Sequence, residues 1–231
     1  MRPTVLLFDI DGTLISTGGA GRRAIERAFA VHCGRADACS SFRFDGMTDR
    51  GIVRKALQAI EIEPTEAAID EVLAAYVAIL EEEVARSPRY RIHAGMERAL
   101  EASLARKNVA VGLGTGNIRE GARVKLTRGG IYGCFSFGGF GSDHEHRPTL
   151  IEIGARRGAA ALGEPFEACR VVIIGDTPSD VAAAQAIGAE CIGVGTGSFT
   201  PEELLACGAT HAFADLAAPG ALGVLLDGAG G

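Results

Sequence analysis

The sequence of residues 4–14 is TVLLFDIDGTL, a short apolar run followed by two aspartates and a glycine. Consecutive apolar residues, rather than strictly alternating ones, are typical of a strand that is buried on both faces of a parallel sheet. Similar β-rich runs occur at residues 109–113, 170–174, 191–194 and, more weakly, 211–213. Helical patterns separate the later runs. This alternation predicts an α/β fold, with a Rossmann-like parallel sheet covered by helices on both faces.

A long helical segment separates the first run from the second. It is too long for a single crossover, so we expect an inserted helical domain over residues 17–89 and an α/β core formed by residues 1–16 and 90–231. Helical spacing of apolar residues is found in three places, at residues 24–29, 52–60 and 64–86. Pro64 suits the first turn of the third helix.

The composition is that of a folded globular protein, since 47% of the 231 residues are hydrophobic and 23% are charged. The net charge of −6 and the scattered basic residues argue against a nucleic-acid partner. No apolar run approaches the roughly 20 residues that span a bilayer, and the N-terminal run lacks the features of a signal peptide. We therefore expect no membrane partner and a cytoplasmic location. Six cysteines without Cys-x-x-Cys spacing predict reduced thiols.

Four aspartates follow two of the predicted strands. They are Asp9, Asp11, Asp176 and Asp180. Because the carboxyl ends of parallel strands meet at one edge of a sheet, these side chains can converge there, and clustered carboxylates without a His or Cys set favour Mg²⁺. Two structural alternatives stay open. Asp9 and Asp11 could form an ordinary turn, and Asp180 could be the capping-box acid of a helix that begins after Thr177, or serve both purposes.

A glycine-rich loop follows the second predicted strand and precedes a helix. Its residues Thr115, Gly116 and Asn117 offer a hydroxyl and backbone amides to an anion such as phosphate. Arg147, at the start of a later helix, supplies a cation, although a solvated loop arginine is the alternative. The glycines are also similar to a dinucleotide fingerprint, but Asn117 stands where the third glycine belongs, which argues against a nucleotide cofactor.

Together these motifs resemble those of the haloacid dehalogenase superfamily, and they occur in the same order along the chain. The motifs are Asp9-Ile10-Asp11-Gly12-Thr13-Leu14, then Thr115, then a cation, then Gly175-Asp176-x-x-x-Asp180. The segment Gly46-Met47-Thr48-Asp49 is similar to a pattern in phosphoglycolate-phosphatase-like members, which have a small helical cap of the C1 type. The resemblance covers the whole chain in architecture and implies that the inserted segment is such a cap.

The resemblance also implies a role for each aspartate. Asp9 would be the nucleophile that forms an aspartyl-phosphate, and Asp11 would be the general acid and then the general base. Mg²⁺ would be held by Asp9, the backbone carbonyl of Asp11 and Asp176. Asp180 would ligate the ion directly or through water.

Thr115 and Arg147 would hold the phosphoryl oxygens. The family usually has Lys where this chain has Arg147, so Lys125 and Arg128 are competitors for the role, although both lie within a predicted helix. Members of the superfamily that dehalogenate lack the second aspartate, because a halide needs no proton to leave. The presence of Asp11 therefore favours phosphate chemistry.

The leading interpretation is a Mg²⁺-dependent phosphomonoester hydrolase that acts on a small phosphorylated metabolite, such as phosphoglycolate or a sugar phosphate. A β-phosphoglucomutase-like phosphomutase shares the same motifs, and a non-catalytic phosphate- or partner-binding module is a third alternative. Arg22 and Arg23 could meet a second anionic group of the substrate or lie on a solvated helix face. His144 and His146 could bind a metal or belong to a polar loop. Monomer and dimer both stay open.

Overall fold

The central feature of the computed structural model, which describes residues 2–228, is a parallel sheet. Within those residues the strands are β1 (Thr4–Phe8), β2 (Ile15–Ser16), β3 (Arg91–Ile92), β4 (Val109–Thr115), β5 (Gly138–Phe140), β6 (Arg170–Gly175), β7 (Glu190–Val194) and β8 (His211–Phe213). Six of them form one sheet in the order β5-β4-β1-β6-β7-β8, and each of its pairings is parallel. The predicted α/β fold is confirmed, and each predicted strand is present.

Helices alternate with the strands of the sheet. In the described part of the chain they are α1 (Ala20–Cys33), α2 (Asp49–Ala59), α3 (Glu66–Arg86), α4 (Met96–Leu104), α5 (Arg119–Arg128), α6 (Arg147–Leu162), α7 (Pro178–Ala186), α8 (Pro201–Ala206) and α9 (Ala221–Asp227). Short 3₁₀ turns lie at Tyr132–Cys134 and Phe166–Ala168. Among residues 2–228, no helix combines the length and the apolar character that a bilayer-spanning segment needs.

The strand β1 lies inside the sheet, and Val5, Leu6, Leu7 and Phe8 are completely buried. Successive side chains of a strand point to opposite faces of the sheet. Leu6 and Phe8 pack in a cluster with residues of α4 and α5, whereas Val5 and Leu7 pack in a second cluster with residues of α6 and α7. Helices thus cover both faces of the sheet, which is why residues 5–8 of β1 are all apolar.

The helices α1, α2 and α3 lie between β2 and β3 and pack around a further apolar cluster, to which Ile118 and Val124 also belong. We call residues 17–89 the insertion. The domain boundaries at its two ends stay a prediction. Phe29, Tyr76 and Leu80 are among its largest fully buried side chains. The chain passes into and out of the insertion through β2 and β3, which pair side by side and antiparallel.

Glycine is required where the chain enters the insertion. Gly18 and Gly19 both have positive φ angles, 62° and 83°, which glycine adopts at little cost. A Cβ at Gly18 would also collide with Arg89, which lies at the other end of the insertion. The two crossing segments can therefore run close together.

The structure corrects two details of the sequence analysis. Pro64 does not lie in the first turn of α3, because Thr65 is the N-cap and its hydroxyl accepts a hydrogen bond from the Ala68 N–H at 3.2 Å. The strand β5 was not predicted, since two of its three residues are glycine and it carries no apolar run. Residue 1 and residues 229–231 of the predicted core lie outside the described range.

Candidate active site

Three buried carboxylates meet at the carboxyl ends of β1 and β6. Asp9 directly follows β1, Asp176 directly follows β6, and Asp180 lies in the first turn of α7. The two strands are hydrogen-bonded neighbours, with Phe8 paired to Ile174 at their ends, so the two loops start side by side. One oxygen from each carboxylate lies within 4.8 Å of the other two. The convergence predicted from the sequence is present for these three residues.

Arg147, the first residue of α6, is buried beside these carboxylates. Its Nη2 donates a hydrogen bond to Asp180 Oδ1 at 2.5 Å and lies 3.3 Å from Asp9 Oδ1. One guanidinium therefore compensates two carboxylates. Its Nε–H is also buried and has no hydrogen-bond partner within residues 2–228. That donor is available to an oxygen atom of a ligand.

Negative charge exceeds positive charge in this cluster. Burial raises the pKa of Asp9 to about 6; Arg147 opposes this effect, and Asp180 and Asp11 add to it. Burial, Asp9 and Asp180 likewise raise the pKa of Asp176 well above its ordinary value. Burial disfavours the charged form of Arg147, but Asp180 and Asp9 outweigh it and raise the pKa of the guanidinium. Buried oxygen donors with excess negative charge suit a hard divalent cation.

Asp176 is held in a tight cradle. The Thr13 hydroxyl donates to its Oδ1 at 2.9 Å. The backbone at Gly12 and Gly197 comes so close that a Cβ at either residue would collide with the carboxylate. Glycine at these two positions therefore makes room for Asp176 at the centre of the cluster.

Asp180 is engaged through both of its oxygens. Oδ1 accepts from Arg147, and Oδ2 accepts from the Thr177 backbone N–H at 3.1 Å and from the Thr177 hydroxyl at 2.7 Å. Thr177 is the N-cap of α7 and Pro178 follows at its first position, so the predicted capping role of Asp180 is confirmed. The same residue also lies in the carboxylate cluster.

Hydrogen bonds connect the second aspartate of the motif, Asp11, to Asn117, Lys125 and Thr115. Asn117 Nδ2 donates to Asp11 Oδ2 and to Thr115 Oγ1, each at 2.9 Å. Lys125 Nζ donates to Asp11 Oδ2 and to Asn117 Oδ1, each at 2.6 Å. The Thr115 side chain lies near Asp9 and lowers the pKa of that carboxyl. Asp11 is therefore held by an ammonium and an amide rather than by the cluster itself.

Both Lys125 and Arg147 reach the site, where they contact different aspartates. Sequence reasoning treated Lys125 as a competitor of Arg147 that fitted less well, because it lies within a helix. The side chain of Lys125 is 5% exposed and binds Asp11. Burial disfavours its charged form, but Asp11 and other acidic neighbours outweigh it and raise its pKa. Arg128, the other competitor, instead donates to backbone carbonyls at the end of α3.

The insertion contacts the loop after β4 through Asp49, the first residue of α2. Its backbone N–H donates to the Gly116 carbonyl at 2.8 Å, and its Oδ2 accepts from the Ile118 N–H at 2.9 Å. A Cβ at Gly116 would collide with the Met47 carbonyl, so glycine lets the insertion approach the core here. Burial raises the pKa of Asp49 to about 6, although Lys125 lowers it. The segment that is similar to a cap pattern thus forms a contact between insertion and core.

A single cavity of about 230 Å³ is lined by both parts of the molecule. The core contributes Asp9, Asp11, Asp176, Asn117, Lys125 and Arg147, among others. The insertion contributes glycines and apolar side chains from α1, α2, α3 and the segment before α2, together with a few charged residues. The part of the lining that comes from the core is therefore rich in carboxylates and cations, and the part that comes from the insertion is more apolar.

The other candidate residues are occupied elsewhere. Arg23 bonds to Glu83 and to a backbone carbonyl and does not line the cavity. His144 Nδ1 accepts a hydrogen bond from the His146 backbone N–H at 2.9 Å. Within residues 2–228, these two rings belong to no cluster of acids, thiols and imidazoles that could hold a metal ion. Of the two alternatives for this segment, the structure favours a polar loop.

Asp49 and Tyr76 line the cavity, although sequence reasoning did not identify them as site residues. Asp49 was considered only as part of a cap pattern, and Tyr76 only as an apolar position of a helix. An acid at the first position of a helix and a hydroxyl on an otherwise apolar stripe are weak signals, because both are common in ordinary helices. Their position in the site depends on how the insertion packs against the core.

Comparison with known proteins identifies the family. A model of the haloacid dehalogenase-like hydrolases matches residues 6–194. No curated relative matches the sequence. The structure of CbbY from Rhodobacter sphaeroides in complex with phosphate is similar, with a TM-score of 0.73 and 20% identity over 98% of this chain and 100% of that chain. A mutant of CbbY in complex with xylulose-(1,5)bisphosphate gives a TM-score of 0.74, with the same identity and coverage.

A predicted phosphoglycolate phosphatase from Haemophilus somnus is also similar. Its TM-score is 0.65, with 18% identity over 94% of this chain and 95% of that chain. At such low identity these likenesses demonstrate a shared fold.

Proposed function

We propose that this chain, which belongs to the haloacid dehalogenase-like hydrolase family, is a magnesium-dependent phosphomonoester hydrolase acting on a small phosphorylated metabolite. The observation that carries the proposal is the buried Asp9 carboxylate at the end of β1, with a guanidinium nitrogen of Arg147 3.3 Å away. A carboxylate can approach a phosphate dianion only where cations offset their repulsion. Fold neighbours in complex with phosphate and with xylulose-(1,5)bisphosphate support a phosphorylated ligand.

The donor set supports a divalent cation at the carboxylate cluster. Asp9 and Asp176 offer hard oxygen ligands, and the backbone carbonyl of Asp11 completes the protein ligands that would hold Mg²⁺. Asp180 would act through a water molecule, because both of its oxygens are already hydrogen bonded. When bound, the ion neutralises phosphoryl charge and orients the group for displacement.

Asp9 and Asp11 divide the chemistry between them. An Asp9 oxygen attacks phosphorus, an aspartyl-phosphate bond forms, and the bond between phosphorus and the ester oxygen breaks. Asp11 delivers a proton to the departing alkoxide. Asp11 then accepts a proton from a water molecule that attacks phosphorus, and the bond to Asp9 breaks to release inorganic phosphate. Lys125 and Asn117, at 2.6 and 2.9 Å, hold the Asp11 carboxylate where this proton is needed.

The phosphoryl oxygens are bound by Arg147, by the Thr115 hydroxyl and by the Gly116 backbone. The buried Nε–H of Arg147 lacks a partner within the described residues and suits a phosphoryl oxygen. The Asn117 side chain is occupied by hydrogen bonds to its neighbours. Its contribution is to orient Thr115, whose hydroxyl lies beside Asp9.

Phosphate release from a panel of phosphorylated metabolites tests the proposal. We expect release with Mg²⁺, little release with a chelator, and none above background with Asp9→Asn. The matched control is Asp70→Asn, because Asp70 is an exposed aspartate of α3 that pairs with Arg50. Release that persists in the chelator and in Asp9→Asn would refute the proposal. An accumulating sugar-phosphate isomer without phosphate release would instead indicate a phosphomutase, and binding without turnover would indicate a binding module.

A further inference from the structure

The wall that the insertion contributes to the cavity is largely apolar. Ile25 of α1, Ile52 of α2 and Tyr76 of α3 line this wall and are each less than 5% exposed. Phe44 and Met47 line it as well. A phosphoester whose phosphate lies at the carboxylate cluster directs its alcohol portion into the rest of this cavity. That portion therefore meets carbon over much of the wall.

The arginine on this wall, Arg22, is already hydrogen bonded within the insertion. Its Nη1 donates to Glu26 Oε1 at 3.1 Å, and its Nη2 donates to the Phe42 carbonyl at 3.0 Å. The guanidinium carbon lies 4.0 Å from the centre of the Phe44 ring. A carboxylate one turn along the same helix thus compensates its charge. Arg22 lines the cavity, but a second anionic group of a substrate would have to share its charge with Glu26.

The remaining charged residues of the cavity do not compensate a further anion. Lys125 and Arg147 are both held by aspartates of the site. Asp45 and Asp49 also line the cavity, and Asp45 pairs with Arg43, which lies outside it. Among the described lining residues, every cation already has a carboxylate partner. An additional carboxylate or phosphate would lose hydration beside these acids without gaining a counter-ion.

We propose that the cavity selects phosphomonoesters whose alcohol carries no second anionic group, and that the pairing of Arg22 with Glu26 is a cause of this selection. The inference rests on the proposed function, because it names the substrate class of the same site. A neutral alcohol buries carbon against Ile25, Ile52 and Tyr76. An anionic alcohol has to compete with Glu26 for the charge of Arg22.

Two pairs of esters test the selection. Glycerol 3-phosphate has a neutral hydroxymethyl group where 3-phosphoglycerate has a carboxylate. Ethyl phosphate has a methyl group where phosphoglycolate has a carboxylate. We expect kcat/KM to be about tenfold or more higher for the neutral member of each pair. Equal or higher values for the carboxylates would overturn the inference and leave the hydrolase proposal standing. Failure to release phosphate from all four esters and from p-nitrophenyl phosphate would overturn the hydrolase proposal, and the inference with it.

The variant Glu26→Gln tests the cause of the selection. It removes the carboxylate partner of Arg22, so the ratio of kcat/KM for the carboxylate ester to that for the neutral ester should rise about fivefold. Glu152→Gln is the control, because Glu152 pairs with Arg156 at the same spacing on α6, outside the cavity. Both variants change the net charge equally, and melting curves report whether both are folded. No rise, or an equal rise in Glu152→Gln, would overturn the role given to the Arg22–Glu26 pair.

Discussion

The two ends of the cavity are built in different ways. The phosphate end is the part of the cavity at Asp9 and Asp176, where the proposed function places the phosphate. These two residues follow adjacent strands whose register is set by backbone hydrogen bonds. The alcohol end is the part lined by Ile25, Ile52 and Tyr76, where the proposal places the alcohol portion of the ester. These residues come from three helices that are held together by side-chain packing. The reacting groups therefore depend on the sheet, whereas the shape and charge around the alcohol depend on a helical surface. Substitutions at the first end should change turnover, and those at the second should change substrate choice.

The largest effect is expected at Asp9. Asp9→Asn removes the nucleophile at almost constant volume, so turnover should fall by about 10⁴-fold or more. The free energy of unfolding should stay the same or rise, because burial makes the Asp9 charge unfavourable in the absence of a metal ion. Phosphate-release assays and urea denaturation measure the two effects. Wild-type turnover in a folded variant would remove Asp9 from the proposed chemistry.

Asp11→Asn should have the next largest effect, and its size should depend on the leaving group. An alkyl phosphate needs a proton on its departing oxygen, so its hydrolysis should slow by about 10²- to 10⁴-fold. Nitrophenolate leaves without a proton. For p-nitrophenyl phosphate, the rate of the first step, which forms the aspartyl-phosphate, should therefore fall less than it does for an alkyl phosphate. Single-turnover rates for the two esters provide the comparison. Equal losses would mean that Asp11 does not deliver the proton.

Arg147→Met tests how far the phosphate end depends on one cation for its stability. Removing the guanidinium leaves Asp9 and Asp180 buried without compensation, which should lower the free energy of unfolding by about 3–5 kcal/mol. Arg156→Met is the matched control, because Arg156 is exposed on the same helix and pairs with Glu152. Its loss should be no more than about 1 kcal/mol. Urea denaturation without divalent ions measures both variants. An equal loss of unfolding free energy in the two variants would contradict this account.

Asp49→Asn tests the contact between the insertion and the core through its pH dependence. Burial raises the pKa of Asp49 from 3.8 to about 6 in the folded protein. The folded state thus binds this proton more tightly than the unfolded state, so the contribution of Asp49 to stability falls as pH rises from about 4 to about 6. At about 1.4 kcal/mol for each pKa unit, the wild type should lose up to about 3 kcal/mol relative to Asp49→Asn.

The two unfolding free energies are compared at about pH 4 and pH 7. A difference between the two proteins that stays constant with pH would contradict a raised pKa for Asp49.

The phosphate end was largely predictable from sequence, for a physical reason. Buried parallel strands carry consecutive apolar residues, as in residues 4–8, and their carboxyl ends meet at one edge of a sheet. Placing Asp9 and Asp176 after such runs was therefore enough to predict that they meet. The Arg147 position followed from the start of a helix. The strand β5 could not be found in this way, because its glycines carry no side-chain pattern.

The alcohol end, and the contact of Lys125 with Asp11, were much less predictable. Lys125 reaches Asp11 only because α5 packs with its buried face toward the site, and no local pattern distinguishes it from a surface lysine. Asp49 and Tyr76 depend on how the insertion packs against the core. The partner of Arg22 lies one turn away in sequence, but the carbonyl and ring that complete its surroundings come from a loop. These contacts are tertiary, and helical periodicity does not encode them.

Chemical trapping of the phosphorylated residue would decide whether Asp9 is the nucleophile. The protein is mixed with Mg²⁺ and an ester that it hydrolyses, and the reaction is quenched during turnover. Borohydride is then added, which reduces an aspartyl-phosphate to homoserine. Peptide mass spectrometry then locates the modified residue. We predict homoserine at position 9 in the wild type and none in Asp9→Asn. Homoserine at another aspartate, or none while phosphate is being released, would contradict the account.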